Sequence, residues 1–210
     1  MYRSPKDEKP KIDLAEEAKI YKRCFYLIEP RFRPDKANKQ LLNSLFAWVW
    51  RLDKCNELGV SYDKGFLLYG DIGTGKTMTM RAFQKYMVHV RDALKVKDYR
   101  LCSILTSATS IANEYVVDGQ PAILKYVERD RNLFIDEFGR EPIPAKYYGT
   151  PLNVLQFVLQ IRYDHRSESV THMTTNMELE DIMPMYGDYV ADRFKEMFNF
   201  VRYDGESLRR

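Results

Sequence analysis

A chain of 210 residues with 45% hydrophobic content can bury one substantial core, and it is too short for two independent cores to be expected. The 33 basic residues nearly balance the 30 acidic ones, so the net charge of +3 is too small to indicate a nucleic-acid-binding surface by itself. Three scattered cysteines exclude a disulfide framework, and no apolar run approaches the roughly 20 residues of a membrane helix, so we expect a cytoplasmic protein without a membrane partner.

The N-terminal part of the chain differs in character from the rest. Residues 1–34 are predicted to form a charged, partly flexible extension ahead of one domain at residues 35–210. Asp13 is a candidate N-cap for a short helix within the extension. A longer helix is predicted after Asp35, where apolar residues recur every three or four positions, and Gly59 is expected to end it.

From residue 65 onward, short apolar runs alternate with helical patterns. The predicted strands are Phe66–Tyr69, Tyr99–Leu105, Leu133–Ile135, Val170–Thr174 and Phe198–Tyr203. The predicted helices begin near Gly75, near Ser107 and at Pro151 with Thr150 as N-cap, and one more spans Met177–Met197. Strands that are apolar throughout and alternate with helices predict a parallel sheet covered on both faces, with ligands at the carboxyl ends of its strands.

A glycine-rich motif follows the first predicted strand directly. Residues 70–77 read Gly-Asp-Ile-Gly-Thr-Gly-Lys-Thr, which fits the pattern G-x-x-x-x-G-K-[ST]. Its glycines allow the main chain to wrap around phosphate, and the N-terminus of the next helix favours negative charge. Lys76 is expected to reach the β- and γ-phosphates of ATP, and Thr77 to ligate Mg²⁺ through its hydroxyl. The predicted nucleotide site consists of Gly70, Asp71, Ile72, Gly73, Thr74, Gly75, Lys76, Thr77 and Met78.

An acidic pair ends the third predicted strand, in the run Asn-Leu-Phe-Ile-Asp-Glu at residues 132–137. Asp136 is expected to hold the water shell of Mg²⁺, and Glu137 to polarise the attacking water as general base. An ordinary buried strand that runs into an acidic turn would have the same composition. In a chain that also contains the glycine-rich motif at residues 70–77, the P-loop, the second acid favours hydrolysis of ATP over transfer of phosphate by a small-molecule kinase.

Together these motifs resemble the DnaC/DnaI helicase loaders and the IstB transposition ATPases of the AAA+ superfamily. Four blocks carry the resemblance across about residues 35–210. They are the P-loop, Ile135–Gly139, Arg162-Tyr163 leading into Thr174–Asn176, and Tyr186–Arg193 with the closing Gly205–Arg209. The resemblance implies an α/β P-loop NTPase with a parallel five-stranded sheet between helices, an AAA+ core without a helical lid domain.

The resemblance also implies roles for three further residues. Asn176 is similar to a sensor 1 residue that contacts the γ-phosphate, although it could instead cap a helix at Met177. Arg193 resembles an arginine finger that enters a neighbouring subunit's site, although it could be a solvated arginine paired with an acid. Arg209 resembles the arginine that closes the sequence of these loaders and lies near the nucleotide, although a solvated side chain is the alternative.

The resemblance implies a protein that hydrolyses ATP, forms a homo-oligomer in its ATP state and remodels or loads a DNA-bound partner, a replicative helicase or a transposase. An ATP-dependent DNA-binding switch with little turnover, like a transposition regulator, is the alternative. The basic stretch from Arg81 to Arg100 could contact single-stranded DNA, or it could be a solvated helix face. We expect the adenine pocket between Phe32 and Tyr62.

Overall fold

The computed structural model describes residues 12–34, 36–95 and 101–203. Its helices are α1 Leu14–Ile28, α2 Lys36–Trp50, α3 Lys54–Glu57, α4 Lys76–Leu94, α5 Ala108–Asp118, α6 Gln120–Ile123, α7 Val154–Asp164, α8 Leu179–Ile182 and α9 Asp188–Met197. Its strands are β1 Gly65–Tyr69, β2 Ser103–Ser107, β3 Asn132–Asp136, β4 Ala145–Tyr147, β5 Thr150–Leu152, β6 Thr171–Thr174 and β7 Phe198–Arg202. The predicted features at residues 1–11, at Lys97, Tyr99 and Arg100, and at Gly205–Arg209 lie outside the described residues.

Five of the strands form one parallel sheet in the order β2-β3-β6-β1-β7. The predicted parallel five-stranded sheet is therefore confirmed. β1 lies between β6 and β7, with Leu67 opposite both Met173 and Phe200. The second strand begins later than predicted, at Ser103. Because all five strands run the same way, the carboxyl ends of β1, β3 and β6 meet at one edge of the sheet, where ligands of such folds bind.

Hydrophobic cores lie on both faces of the sheet, because successive side chains of a strand point to opposite faces. In β1, Phe66 and Leu68 join the core that contains residues of α1, α2 and α4, whereas Leu67 joins the core that contains residues of α5, α7 and α9. The sheet is thus covered by helices on both sides. Among the described helices, none is long and apolar enough to cross a membrane.

Helix α1 begins as predicted and packs into a core. The Asp13 carboxylate accepts hydrogen bonds from the N–H groups of Ala15 at 2.9 Å and Glu16 at 3.3 Å. Further along, Phe25 is 2% exposed and lies in the same core cluster as residues of α4. The domain boundary at residue 34 stays a prediction, but α1 shares its core with the residues beyond that boundary.

Helix α2 ends at Trp50, so the prediction that it continues to Gly59 is wrong. Arg51 has a φ of 47°, and the N–H of Leu52 donates to the Ala47 carbonyl at 3.0 Å. A residue with left-handed φ, followed by an N–H that donates to a carbonyl in the last turn of the helix, is a common helix ending. Here no glycine marks it in the sequence. Gly59 follows the separate short helix α3 instead.

Thr150 and Pro151 do not start a helix, which corrects a second prediction. They lie in β5, which pairs with β4 in an antiparallel hairpin, and the Thr150 carbonyl accepts a bond from the Tyr115 hydroxyl at 3.2 Å. Proline can occupy such a short edge strand because no ladder bond needs its missing N–H. The helix begins at Val154, where the Asn153 side chain accepts from the Gln156 N–H at 3.2 Å.

The helix predicted over Met177–Met197 is broken into α8, a 3-10 turn at Met183–Tyr186, and α9. Pro184 lies within the turn, and Gly187 follows it with a φ of 79°. Proline cannot continue a helical hydrogen-bond pattern, and glycine adopts positive φ without a steric cost. The break turns the chain so that α9 can pack beside α7.

Candidate nucleotide site

A cavity of about 390 Å³ lies at the carboxyl edge of the sheet, beside the N-terminus of α4. This volume lies within the range of small-molecule sites. The predicted residues that line it are Ile72, Gly73, Gly75, Lys76, Thr77, Met78, Glu137 and Asn176. The tertiary structure therefore brings the glycine-rich motif, one of the two predicted acids and the predicted sensor to a single cavity.

The loop between β1 and α4 bends back on itself at glycines. Gly70, Gly73 and Gly75 have φ values of 123°, 88° and 104°, in a region that side chains with a Cβ rarely adopt. The left-handed Gly75 immediately precedes the first residue of α4. The helix begins at the cavity, so its unpaired N-terminal N–H groups and its dipole favour an anion there.

The Lys76 ammonium lies inside this loop. It donates hydrogen bonds to the carbonyls of Gly70 at 2.8 Å and Asp71 at 2.6 Å, and it lies 3.5 Å from the Thr74 hydroxyl. Burial lowers the pKa of Lys76 below its ordinary value, because an ammonium in a poorly solvated place is less stable. A bound anion would stabilise this charge more strongly than neutral carbonyls do.

A chain of hydrogen bonds links α4, β3 and β6 beside the cavity. The Thr77 hydroxyl donates to the Asp136 carboxylate at 2.8 Å, and the Thr174 hydroxyl donates to the same oxygen. The Glu137 N–H in turn donates to the Thr174 hydroxyl at 3.1 Å. A hydroxyl and a carboxylate side by side are the oxygen donors that Mg²⁺ prefers, so Thr77 and Asp136 fit a magnesium site. This role of Thr174 is not evident from the sequence.

Glu137 lines the cavity in a constrained conformation. Its φ of 56° is left-handed, and its carboxylate forms an ion pair with Arg140 at 3.1 Å. Asn176 also lines the cavity and does not cap a helix at Met177, because α8 begins only at Leu179. The Met177 N–H instead donates a hydrogen bond to the Thr175 hydroxyl at 3.1 Å.

One wall of the cavity comes from a segment that sequence reasoning missed. Ile28, Glu29 and Arg31, at and after the end of α1, line it together with Arg81 of α4. No described residue between Phe32 and Tyr62, where the adenine pocket was expected, lies in this wall. The end of α1 reaches the P-loop because the helix packs against α4, and no local pattern indicates such a long-range contact.

Arg193 lies on α9, outside the group of residues that line the cavity. Its guanidinium carbon is 4.3 Å from the centre of the Tyr163 ring, and the side chain is half-buried. This half-burial against the ring differs from the solvated side chain of the alternative interpretation. Arg209, the other arginine expected near the nucleotide, lies outside the described residues.

Solved structures with a similar fold include proteins of DNA replication. A DnaC helicase loader matches with a TM-score of 0.59 and 15% identity, over 84% of this chain and 96% of that one. A putative primosome component from Streptococcus pyogenes serotype M3 matches with a TM-score of 0.59 and 19% identity, over 83% and 84%. AMPPCP-bound DnaA from Aquifex aeolicus matches with a TM-score of 0.57 and 16% identity, over 83% of this chain and 49% of DnaA. At these identities the likeness establishes the fold.

Sequence comparison with curated proteins gives no match. Comparison with protein families matches residues 66–200 to the family described as "ATPase family associated with various cellular activities (AAA)". The match includes the P-loop, the acidic pair, Asn176 and Arg193, and it covers more than half of the chain. The chain therefore belongs to the AAA family of ATPases.

Proposed function

We propose that the chain binds MgATP in this cavity and hydrolyses it. The hydrogen-bonded chain from Thr77 through Asp136 to Thr174, beside a cavity that Lys76 and Glu137 also line, carries the proposal. A buried ammonium next to a helix N-terminus suits phosphate, and the adjoining hydroxyl and carboxylate suit a hard cation. The second carboxylate then has the chemistry needed to activate water.

Each side chain has a distinct role in this proposal. Lys76 exchanges the carbonyls that it now contacts for β- and γ-phosphate oxygens, and Thr77 and Asp136 hold Mg²⁺. When bound, the cation neutralises charge on the phosphates. Glu137 accepts the proton of the attacking water, and Asn176 contacts the γ-phosphate or orients that water. Glu137 must leave its exposed ion pair with Arg140 to do so, at a cost of about 1 kcal/mol or less.

Two substitutions separate binding from hydrolysis. Lys76→Ala should weaken ATP binding at least about tenfold, because it removes the cation that faces the phosphates. Glu137→Gln should still bind ATP while phosphate release falls at least about 100-fold, because the amide is not a base. Lys146→Ala, on the exposed hairpin, is the control and should match wild type. Phosphate release by Glu137→Gln at the wild-type rate would refute the assigned base.

We further propose that the protein acts as a homo-oligomer in its ATP state, with Arg193 entering the site of the neighbouring subunit. A guanidinium there stabilises charge that develops on the γ-phosphate, and such fingers accelerate hydrolysis by about 10³-fold or more. Arg193 lies apart from the cavity of its own chain, which supports action on another copy.

Mixing two inactive variants tests this action between subunits. Glu137→Gln retains the finger but lacks the base, whereas Arg193→Ala retains the base but lacks the finger. In a head-to-tail assembly of an equal mixture, about one interface in four joins an intact base to an intact finger, so activity should return to about that level. No recovery at any ratio would show that the finger does not act in trans.

For the partner, we propose a DNA-bound replicative helicase that the protein loads or remodels. The likeness in fold to a DnaC helicase loader and to a putative primosome component supports this choice. A pull-down with Glu137→Gln, held in the ATP state, tests it: recovery of a helicase supports loading, and recovery of a transposase favours transposition regulation instead. Recovery of neither would contradict both partners.

An ATP-dependent DNA-binding switch with little turnover is the second candidate. The contact between Glu137 and Arg140 supports it, because the carboxylate faces a cation in this state, but breaking this exposed pair costs only about 1 kcal/mol or less. Single-stranded DNA could contact exposed cations of α4 such as Lys85, whereas Arg91 is already 2.8 Å from Asp92. DNA binding that follows ATP occupancy, persists in Glu137→Gln and needs no helicase would favour the switch.

A further inference from the structure

Tyr163 connects α7 to the arginine on α9. Its ring lies beneath the guanidinium of Arg193, 4.3 Å from the ring centre, and also contacts the guanidinium of Arg166 at 4.1 Å. The Tyr163 hydroxyl donates to the Glu196 carboxylate at 2.9 Å, and the same carboxylate is 3.1 Å from Arg166. One aromatic ring thus contacts two cations and hydrogen-bonds to the carboxylate of α9.

The backbone that carries Tyr163 is firmly anchored. The preceding residue, Arg162, is 2% exposed and donates hydrogen bonds to four main-chain carbonyls and two hydroxyls. The ring is therefore presented from a fixed point in α7. Its bond to Glu196, one turn after Arg193 in α9, orients the plane of the ring against that helix.

We propose that Tyr163 is a positioning residue for Arg193. The inference rests on the proposed action of Arg193 in a neighbouring site. A long arginine side chain loses rotamer freedom when it enters another subunit, and that loss opposes assembly and catalysis. A cation–π contact restricts the guanidinium before the subunits meet, so less freedom is lost at the interface. In this proposal Tyr163 contacts neither the nucleotide nor the attacking water, and it acts only through Arg193.

Two substitutions at Tyr163 separate the ring from its hydroxyl. Tyr163→Leu removes the π face, and we expect oligomer-dependent ATP hydrolysis to fall about fivefold, the size of a partly exposed cation–π contact. Tyr163→Phe keeps the π face and should remain within about twofold of wild type. Tyr62→Leu is the matched control, because Arg51 lies 5.5 Å above the Tyr62 ring before β1, at the opposite edge of the sheet from the cavity.

Mixing experiments then show whether Tyr163 acts through the finger. A Tyr163→Leu subunit has an intact base and a weakened finger. In a mixture with Glu137→Gln, the Glu137→Gln subunits supply an intact finger to its sites. Those sites should hydrolyse ATP as fast as the sites of Arg193→Ala do in a mixture with Glu137→Gln. Mixed with Arg193→Ala, it should show no more activity than the average of the two variants measured alone, because no subunit in that mixture supplies an intact finger. Its ATP binding, measured alone, should equal that of wild type.

Three results would overturn the proposal. In the first, Tyr163→Leu supplies a finger to neighbouring sites as well as wild type does; in the second, Tyr163→Phe loses as much activity as Tyr163→Leu. In the third, the sites of Tyr163→Leu stay inactive even when Glu137→Gln subunits supply the finger. The last would mean a general loss of structure. If Arg193→Ala and Glu137→Gln themselves fail to complement, the trans finger fails, and that outcome is distinct from a failure of Tyr163 alone.

Discussion

At the scale of single residues, Thr174 has two hydrogen-bonding functions at the candidate site. Its hydroxyl donates to the Asp136 carboxylate and accepts from the Glu137 N–H at 3.1 Å. It therefore orients the proposed metal-binding acid and holds the main chain of the proposed base in its left-handed conformation. A residue two positions before Asn176 thus joins the strand of the predicted sensor to both acids.

We predict that Thr174→Val lowers kcat about tenfold and changes the Kd for ATP less than about twofold. Valine keeps the shape but leaves the Glu137 N–H without its acceptor, and one such bond is worth about 1–1.5 kcal/mol. Thr174→Ser keeps the hydroxyl and serves as the control. Steady-state phosphate release and nucleotide titration measure the two effects, and an unchanged kcat in Thr174→Val would contradict this role.

His172 is an imidazole buried among aromatic rings. Its ring centre lies 4.5 Å from that of Phe134 and 5.2 Å from that of Trp48, and its Nδ1 accepts the Phe66 N–H at 3.2 Å. Burial, with a smaller contribution from the charge of Arg162, lowers the pKa of His172 to about 3. The residue therefore acts as a neutral hydrogen-bond acceptor in the core, and no metal needs to be invoked for it.

The buried imidazole predicts a loss of stability in acid. The unfolded histidine binds a proton below its ordinary pKa of 6.5, whereas the folded one does so only near 3. Its contribution to the free energy of unfolding is therefore present above pH 6.5 and declines by up to about 1.4 kcal/mol per pH unit between 6.5 and 3. His172→Gln does not titrate, so its deficit against wild type in urea unfolding should shrink between about pH 7.5 and about pH 5. Parallel pH profiles would contradict this assignment.

At the scale of elements, Arg162 fastens α7 to the segments that flank β3 and β6. It donates to the Tyr126, Glu128, Arg131 and Val170 carbonyls and to the Ser169 and Thr171 hydroxyls, at 2.6–3.3 Å. Burial lowers its pKa to about 10. The guanidinium suits this place because its planar fork presents five donors in fixed directions.

We predict that Arg162→Met lowers the free energy of unfolding by about 3–5 kcal/mol, because it leaves several buried acceptors without donors. Arg162→Lys should lie between that variant and wild type, since an ammonium cannot reach all six acceptors. Arg166→Met, just beyond the C-terminal end of α7 and exposed, should cost less than about 1 kcal/mol. Urea unfolding at neutral pH compares the three, and equal losses at positions 162 and 166 would refute the anchoring role.

At the scale of the whole molecule, α1 completes the layer of helices on one face of the sheet. Tyr21, Cys24 and Phe25 pack in the core that also holds residues of α2, α4 and β1. The Tyr86 hydroxyl of α4 donates to the Glu17 carboxylate of α1 at 2.9 Å. The helix therefore contributes to the stability of the core and also places its last turn against the candidate nucleotide cavity.

Two neighbouring substitutions in α1 test this integration. Phe25→Ala should destabilise the whole protein by about 3–5 kcal/mol, because it removes a large side chain that is 2% exposed. Leu27→Ala should cost less than about 0.5 kcal/mol, because Leu27 is 60% exposed. Single cooperative unfolding transitions, followed by circular dichroism, make the comparison. Equal losses in the free energy of unfolding for Phe25→Ala and Leu27→Ala would show that α1 is not an integral part of the core.

Short-range patterns made much of the fold and site predictable. The glycines of the P-loop permit the positive φ values that the loop requires, and the apolar runs of β1, β3 and β6 predict strands of a parallel sheet. Helix ends were less predictable. Helix α2, for example, ends at Trp50 and is followed by Arg51 with left-handed φ, where a glycine would be expected. Pro184 and Gly187 are recognisable breaking signals in the sequence, but the predicted helix ran through them.

The P-loop motif, the acidic pair and the alternation of strands and helices can be recognised from the sequence alone, because each depends on neighbours within a few residues. Other contacts are visible only in the folded chain: Ile28 and Arg31 line the same cavity as the P-loop, Thr174 bonds to Asp136, and Tyr163 lies beneath Arg193. Those contacts join residues up to about 50 positions apart, and their formation depends on how whole elements pack. Local periodicity carries no information about such pairs.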